Sequence, residues 1–250
     1  MARLAFVTGG ASGLGAGACR ALAQSGHSVA VVDLNAAAAK KVAKSLPGSG
    51  HVAITCDITS EASVKKAMNA AEKIAPIAVI ALFAGGTQNT QTYRPRIQDT
   101  SNADWDKIMD LNARSSFFFV REFLLRREKK PVKHGRIILV SSQAAQSAGN
   151  AGGAAYAAAK ACVLGLMKAA ARDAAPFGIT VNAIAPGPFD TPAFHTTNSA
   201  AQTALMMKNV PLGRMGTADE MGAITAFLAS EGAGFITGST IDANGGTRFN

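Results

Sequence analysis

The sequence predicts an α/β protein built on a doubly wound parallel sheet with helices on both faces. Three observations point there. Seven short apolar runs, rich in β-branched residues, lack polar alternation, as expected of strands buried on both sides. Ala-rich stretches of helical period separate them, so β and α elements alternate along the chain. A glycine-rich turn joins the first apolar run to the first helical stretch.

A strand is expected over Arg3–Thr8, followed by a helix near 13–25 that starts in the glycine-rich turn. A second strand over Ser28–Asp33 leads to a helix near 35–45, and a third over His51–Cys56 to a helix near 60–74. Thr59, Ser60 and Glu61 supply capping hydroxyls and an acid at the start of that helix, and Pro76 closes it. The fourth strand, Ile77–Ala84, is apolar throughout. Ser101, Asn102 and Asp104 open a long helix over 104–127, which stops before Pro131. Gly135–Ser142 reads as the fifth strand, 154–175 as a helix ended by Pro176, and Ile179–Ala185 as the sixth strand. A loop-rich segment near 186–210 precedes a helix near 217–230 and a last strand over Ser239–Asp242. No Gly/Ser linker or internal repeat divides the chain, so a single domain is expected over residues 1–250.

Composition narrows the function. With 48% apolar and 16% charged residues, the chain is the reverse of a disordered one. A chain of this length buries roughly three quarters of its unfolded surface. Cys19, Cys56 and Cys162 are odd in number and widely spaced, which suits free thiols in a reducing compartment. Neither they nor His27, His51, His134 and His195 show ligand spacing, and no metal is expected. The apolar run after Met1-Ala2-Arg3 stops at Gly9, too short for a signal segment. Ile77–Ala84, the longest apolar stretch, falls far below the ~18 residues of a membrane span. A cytoplasmic protein without membrane contact is expected.

The net charge is +9, and seven basic residues lie between Arg121 and Arg136 against Glu122 and Glu128. The segment reads either as a solvated helix end, where the dipole favours cations, or as an attractor for an anionic partner. One Trp and two Tyr offer little for base stacking, and no nucleic-acid motif is present, so nucleic acid is not expected.

The turn Thr8-Gly9-Gly10-Ala11-Ser12-Gly13-Leu14-Gly15 suits a dinucleotide. Its glycines let backbone approach a pyrophosphate, and the following helix offers N–H groups and the positive end of its dipole. Asp33 ends the second strand, 18 residues after Gly15. A carboxylate there accepts hydrogen bonds from ribose 2′- and 3′-hydroxyls and repels a 2′-phosphate. Neither Gly10–Gly15 nor Leu34–Ala39 contains Arg or Lys, so NAD is expected over NADP. The alternative is a structural turn with a solvated aspartate. Tyr156 and Lys160, spaced i, i+4 on a helix, share a face. An ammonium near a phenol favours the phenolate and lowers its pKa from about 10, which makes an acid/base usable near neutral pH. Ser142, ending the fifth strand, offers a hydroxyl to a carbonyl or hydroxyl oxygen.

Joined by Asn112 and Pro186-Gly187, these motifs resemble the single-domain short-chain dehydrogenase/reductase family, from Arg3 to about Gly246. The resemblance implies a Rossmann-like fold with seven parallel strands, usually a homotetramer. It implies an NAD-linked oxidoreductase that interconverts a secondary alcohol and a ketone by hydride transfer. Tyr156 would be the acid/base, Lys160 would hold the nicotinamide ribose, and Ser142 would orient the substrate oxygen. Asn112 would hold a water in a proton relay through Lys160, and it also reads as a helix-interior hydrogen bonder. Cofactor contacts are implied at Gly9, Ser12, Gly13, Leu14 and Gly15, and at Asp33 with Leu34. Asp57 and Ile58 would meet the adenine, and Ala84 and Gly85 the adenosine ribose. Pro186, Gly187 and Thr191 would flank the nicotinamide, beside Tyr156 and Lys160.

Two features depart from the family pattern. Leu82-Phe83-Ala84-Gly85 stands where the family has Asn-Asn-Ala-Gly, so side-chain hydrogen bonds of that motif are lost. The spacing from Ser142 to Tyr156 is one residue longer than the commonest, which leaves Ser141 as the alternative serine.

In this family the segment 186–210 lids the substrate. Phe189 and Phe194, with Gln143, Gln88 and Tyr93, would line a mostly apolar pocket with a few polar handles; core packing explains the Leu and Met residues of the segment equally well. Around Tyr156 and Val181-Asn182 the chain also resembles the family's reductases of 3-oxoacyl thioesters. Those enzymes dock acyl carrier protein or coenzyme A on basic residues, for which Arg126, Arg127, Lys129 and Arg172 are candidates here. Many of them prefer NADPH, whereas Asp33 favours NAD. A hydroxyacyl thioester or an aryl or alicyclic secondary alcohol is therefore the expected substrate. The rival reading is a non-enzymatic, dinucleotide-sensing binding protein on the same fold.

Overall fold

The computed structural model of the protein describes residues 3–87, 95–147 and 153–249. Its strands are β1 (Leu4–Thr8), β2 (Ser28–Asp33), β3 (Val52–Thr55), β4 (Ile77–Leu82), β5 (Arg136–Val140), β6 (Thr180–Pro186) and β7 (Thr240–Ala243). They form one sheet in the order β3-β2-β1-β4-β5-β6-β7, and every neighbouring pair is parallel. The helices are α1 (Gly13–Gln24), α2 (Ala36–Ser45), α3 (Glu61–Glu72), α4 (Asn102–Met109), α5 (Ser115–Lys129), α6 (Gly153–Ala174), α7 (Pro192–Thr197), α8 (Ala200–Met207) and α9 (Ala218–Ala229).

The unbroken apolar character of the strands is explained by two cores, one on each side of the sheet. Side chains alternate across a strand. Leu4 and Phe6 of β1 therefore enter one core, with Val64 and Met68 of α3, Phe119 and Phe123 of α5, and Val163 and Met167 of α6. Ala5 and Val7 enter the other, with Cys19 and Leu22 of α1, Ala39 of α2, and Met221 and Leu228 of α9. Each large side chain so buried contributes about 1.5–3 kcal/mol of transfer free energy.

β1 lies between β2 and β4, and the chain winds outward from this pair in both directions. The connections leaving β1 and β4 part to opposite faces, which opens a crevice at the carboxyl ends of the strands. The cleft described below sits there.

Two elements differ from expectation. The single helix expected over 104–127 is interrupted by a π-helical turn, Asp110–Arg114, between α4 and α5. The loop-rich segment near 186–210 contains α7 and α8. Pro192 stands in the first turn of α7, and the Thr191 hydroxyl accepts from the Phe194 N–H; Ser199 and Gln202 form a reciprocal capping box on α8. These caps satisfy the orphan amides that make so short a helix costly.

The basic segment also has a structural use. Within one chain, the end of α5 and the start of β5 lie at the amino ends of the strands, away from the crevice. Arg127 is buried, pairs with Glu72 and donates to the Ile77 carbonyl oxygen at 3.2 Å. Arg136, also buried, donates to the Ser230 carbonyl oxygen at 3.0 and 3.2 Å. Arg126 pairs with Glu122 and donates to Asn69 at 2.7 Å, and Arg121 pairs with Glu61 at 2.7 Å. Arg126 and Arg127, considered above for carrier docking, are thus both engaged in ion pairs inside the fold. The stretch Gly153–Phe177 is long and apolar enough to cross a membrane, but α6 within it packs Val163 and Met167 against the sheet.

Candidate active site

A cleft of about 490 Å³ opens at the carboxyl ends of the strands. Its floor is the glycine-rich turn. A Cβ on Gly15 would stand 2.1 Å from the Gly9 carbonyl oxygen, so this position admits glycine alone. Ser12, at the N-cap of α1, makes no side-chain capping bond, whereas the caps of α2, α3 and α9 are all made by side chains. The first amides of α1 are therefore left for an anion. Asp33 lines the same cleft, with its carboxylate accepting from the Ala11 N–H at 3.2 Å and the Asn35 N–H at 3.0 Å. Thr191 closes the turn from the opposite side, 3.4 Å from the place of a Cβ on Gly13. Backbone room, free amides and an oriented carboxylate fit a dinucleotide.

The second cluster sits where β5 ends. Ser141 and Ser142 follow the strand, and their side chains diverge. The Ser141 hydroxyl is buried and donates to the Lys160 carbonyl oxygen at 2.8 Å. The Ser142 hydroxyl accepts from the Ala144 N–H at 3.1 Å and reaches the Tyr156 phenol. Lys160 is buried one turn along α6 from Tyr156; its Nζ donates to the Val140 carbonyl oxygen at 3.0 Å and lies 5.7 Å from the Tyr156 ring centroid.

The electrostatics correct one expectation. The Tyr156 pKa is raised, not lowered as expected beside Lys160. Burial pushes the Tyr156 phenol above its ordinary value, and the Ser142 hydrogen bond offsets part of that. Burial also holds the Lys160 ammonium down to about 8.

Asn112 stands behind the cleft wall, within the π turn. Its Nδ2 donates to the carbonyl oxygens of Gly86 (2.9 Å) and Ile108 (3.0 Å), and its Oδ1 accepts from the Gly86 N–H (2.9 Å). Both amide protons are in use, and the second lone pair of Oδ1 is what remains for a relay water. A Cβ on Gly85 would lie 2.7 Å from that Oδ1 and 3.4 Å from Lys160 Nζ, so Gly85 is where the two side chains converge.

Most expected site residues come together. Gly9, Ser12, Gly13, Leu14, Gly15 and Asp33 line the cleft at one end, Gly85, Ser142, Gln143, Tyr156 and Lys160 at its middle, and Pro186, Gly187, Phe189, Thr191 and Phe194 beyond. Leu34, Asp57, Ile58 and Ala84 do not line it. Leu34 is exposed. Asp57 accepts from the Thr59 N–H and hydroxyl at 2.9 and 2.7 Å, turning the chain into α3. Ile58 packs in the core, and Ala84 donates its N–H to the Thr8 hydroxyl at 3.2 Å. The contacts expected of Gln88 and Tyr93 lie outside the described residues. Phe83 and Asn198 line the cleft without having been expected, and Met206 lines it as one of the Met residues of the segment 186–210. Phe83 was legible as the departure from the family's Asn-Asn-Ala-Gly, and Met206 as part of the lid.

A family model described as enoyl-(acyl carrier protein) reductase matches residues 9–248. An uncharacterized short-chain type dehydrogenase/reductase of Sinorhizobium fredii is 36% identical over 98% of this chain and 96% of its own length. The chain belongs to the short-chain dehydrogenase/reductase family. An acetoacetyl-CoA reductase of Shinella zoogloeoides is 35% identical over all of both chains. A dehydrogenase/reductase from Sinorhizobium meliloti superposes with a TM-score of 0.89 at 30% identity, over 100% of this chain and 96% of that one. As a member of this family the protein is an oxidoreductase acting on hydroxyl or keto groups with a nicotinamide dinucleotide.

Proposed function

We propose that the protein is an NAD-preferring reductase of ketones, with a 3-oxoacyl thioester as the substrate class and the corresponding hydroxy compound as product. The observation that carries this reading is the convergence of Ser142, Tyr156 and Lys160 on the cleft that also holds the glycine-rich turn and Asp33. Bound there, the dinucleotide would exchange hydride with the substrate carbon. Gly9–Gly15 and the α1 amides would hold its pyrophosphate. Asp33 would accept from the ribose hydroxyls; its charge supports NAD over NADP. Ser142 would orient the substrate oxygen, and Tyr156 would donate the proton to it during reduction. Lys160, buried within a turn of Tyr156, would hold the nicotinamide ribose and stabilise the phenolate left behind. Asn112 would fix Gly85–Gly86, and a relay water would have to use its remaining lone pair. The acetoacetyl-CoA reductase relative supports the thioester. A homotetramer is in keeping with the family and with the exposed rings of Phe117, Phe227 and Phe235. A cytoplasmic location suits three free cysteines.

The test is turnover of acetoacetyl-CoA and simple ketones with NADH and NADPH separately, in wild type and Tyr156→Phe. Tyr156→Phe is expected to lower kcat by about 10²–10⁴, the usual worth of a general acid, while still binding NADH, read by titration calorimetry. Near-wild-type turnover by the variant would remove Tyr156 from the chemistry, and preference for NADPH would overturn the Asp33 argument. A dinucleotide sensor would bind NADH and reduce nothing.

A further inference from the structure

A glutamine side chain presents either its carbonyl or its N–H₂ to a ligand, and the choice depends on what holds its other end. Gln143 follows Ser142 directly and lines the cleft. The Thr247 hydroxyl lies 2.5 Å from its Oε1 and 3.1 Å from the Asn244 carbonyl oxygen; its single proton goes to the nearer acceptor, Oε1, at a separation that suits O–H···O and is too short for N–H···O. The carbonyl end is thereby turned to the C-terminal segment. Nε2 is not buried and makes no hydrogen bond among the described residues, so two donors are left.

Thr247 is itself held. It belongs to a turn after β7 in which the buried Asn244 accepts from the Gly246 N–H at 2.9 Å and donates to the Arg248 carbonyl oxygen at 3.0 Å. The turn is moored to the cleft wall at Gly187 and to the chain beyond α8 at Leu212. The Gly187 N–H donates to the Ala243 carbonyl oxygen at 2.9 Å, and the Leu212 N–H to that of Gly245 at 3.1 Å. The hydroxyl that orients Gln143 is thus fixed against the end of β6 and the chain that follows α8.

We infer that Thr247 is a positioning residue which makes Gln143 a donor to a second carbonyl oxygen of the substrate, next to the one engaged by Ser142 and Tyr156. The inference deepens the proposed function and rests on it. A ketone with a neighbouring carbonyl, as in a 3-oxoacyl thioester, fills both positions. A simple ketone leaves Nε2 to water, and selection between the two substrates follows from that difference.

The experiment compares kcat and KM for acetoacetyl-CoA and for 2-octanone in wild type, Thr247→Val, Thr247→Ser, Gln143→Leu and Gln143→Glu. Thr247→Val is expected to lower the acetoacetyl-CoA to 2-octanone ratio of kcat/KM about tenfold, the scale of one lost hydrogen bond, mainly through KM. Thr247→Ser restores the hydroxyl and should keep the ratio. Gln143→Leu and Gln143→Glu should lose it as Thr247→Val does, and adding Thr247→Val to Gln143→Leu should cost nothing more, since both act on one contact. Equal loss for both substrates in Thr247→Val, or failure of Thr247→Ser to rescue, overturns the inference. Should Thr247→Val not fold, an unchanged ratio in Gln143→Glu overturns it equally. Wild-type reduction of acetoacetyl-CoA with a ratio that the Thr247 and Gln143 variants leave unchanged refutes this inference alone, whereas wild type inert toward acetoacetyl-CoA refutes the proposed substrate class with it.

Discussion

Tyr156 and Lys160 set the pH behaviour. Because burial raises the phenol pKa, the proton stays on Tyr156 through neutral pH, the form that protonates a ketone oxygen. Lys160, held to about 8, carries its charge below that pH and loses it above. For ketone reduction, kcat/KM should stay level through neutrality and fall on the alkaline side as Tyr156 deprotonates. Alcohol oxidation should rise over the same range. Steady-state rates in both directions from pH 6 to about 11, spanning the ordinary tyrosine pKa, give the comparison; reduction that climbs with pH would exclude Tyr156 as the acid. The Tyr156–Lys160 pair was legible because helical spacing alone puts i and i+4 together. Ser142 could not be separated from Ser141 by position. Successive side chains of an extended chain point to opposite sides, and that alternation sends Ser141 to the α6 backbone and Ser142 toward Tyr156. Thr247 was beyond reach of any local pattern, standing 104 residues from Gln143.

At the level of elements, the strands were the clearest feature, since a strand buried on both faces shows in unbroken apolar runs such as Ile77–Leu82. Caps were legible too: Ser199 and Gln202 carry the capping-box spacing, although the segment read as loop. The π turn at 110–114 had no local signature. It is bound up with a tertiary contact, the clasp of Asn112 on both polar groups of Gly86. Helix α5 offers a test of how the basic segment is used. Arg127→Ala leaves Glu72 without its buried partner, and breaking such a pair costs about 3–5 kcal/mol. The exposed Lys129→Ala should stay within about 0.5 kcal/mol of wild type. Urea denaturation of both variants reads the difference, and equal stabilities would return Arg127 to the solvated face.

For the molecule as a whole, the net charge of +9 invited a reading in terms of anionic partners, but part of it is spent inside the fold. Arg127 and Arg136 are buried, and Arg121, Arg126 and Arg127 are each paired with a glutamate. Composition counts charges without their partners, so the total could not reveal this. The outer surface speaks more clearly in its apolar groups. Phe235 is fully exposed, and Phe117, Phe227 and Phe249 are exposed as well, a liability for a lone subunit unless copies cover them. Sedimentation velocity at micromolar concentration is expected to report a tetramer, and Phe235→Glu a smaller species. A wild-type monomer would contradict the proposed assembly.

The cleft depends on both ends of the chain. Gly9 lies in its first turn, and the segment Ala243–Thr247, which braces Gly187 and holds Gln143, follows the last strand. A ribosome makes these parts in that order, so a growing chain has its phosphate turn long before the brace that shapes the substrate wall. The central strand β1 likewise waits for β4 before its second edge is covered. Such distant pairings slow folding, and competence for turnover arrives only after β7 and the turn beyond it have emerged. Newly made protein should therefore gain activity late and all at once, and any alteration of the turn after β7 should be felt at the active site.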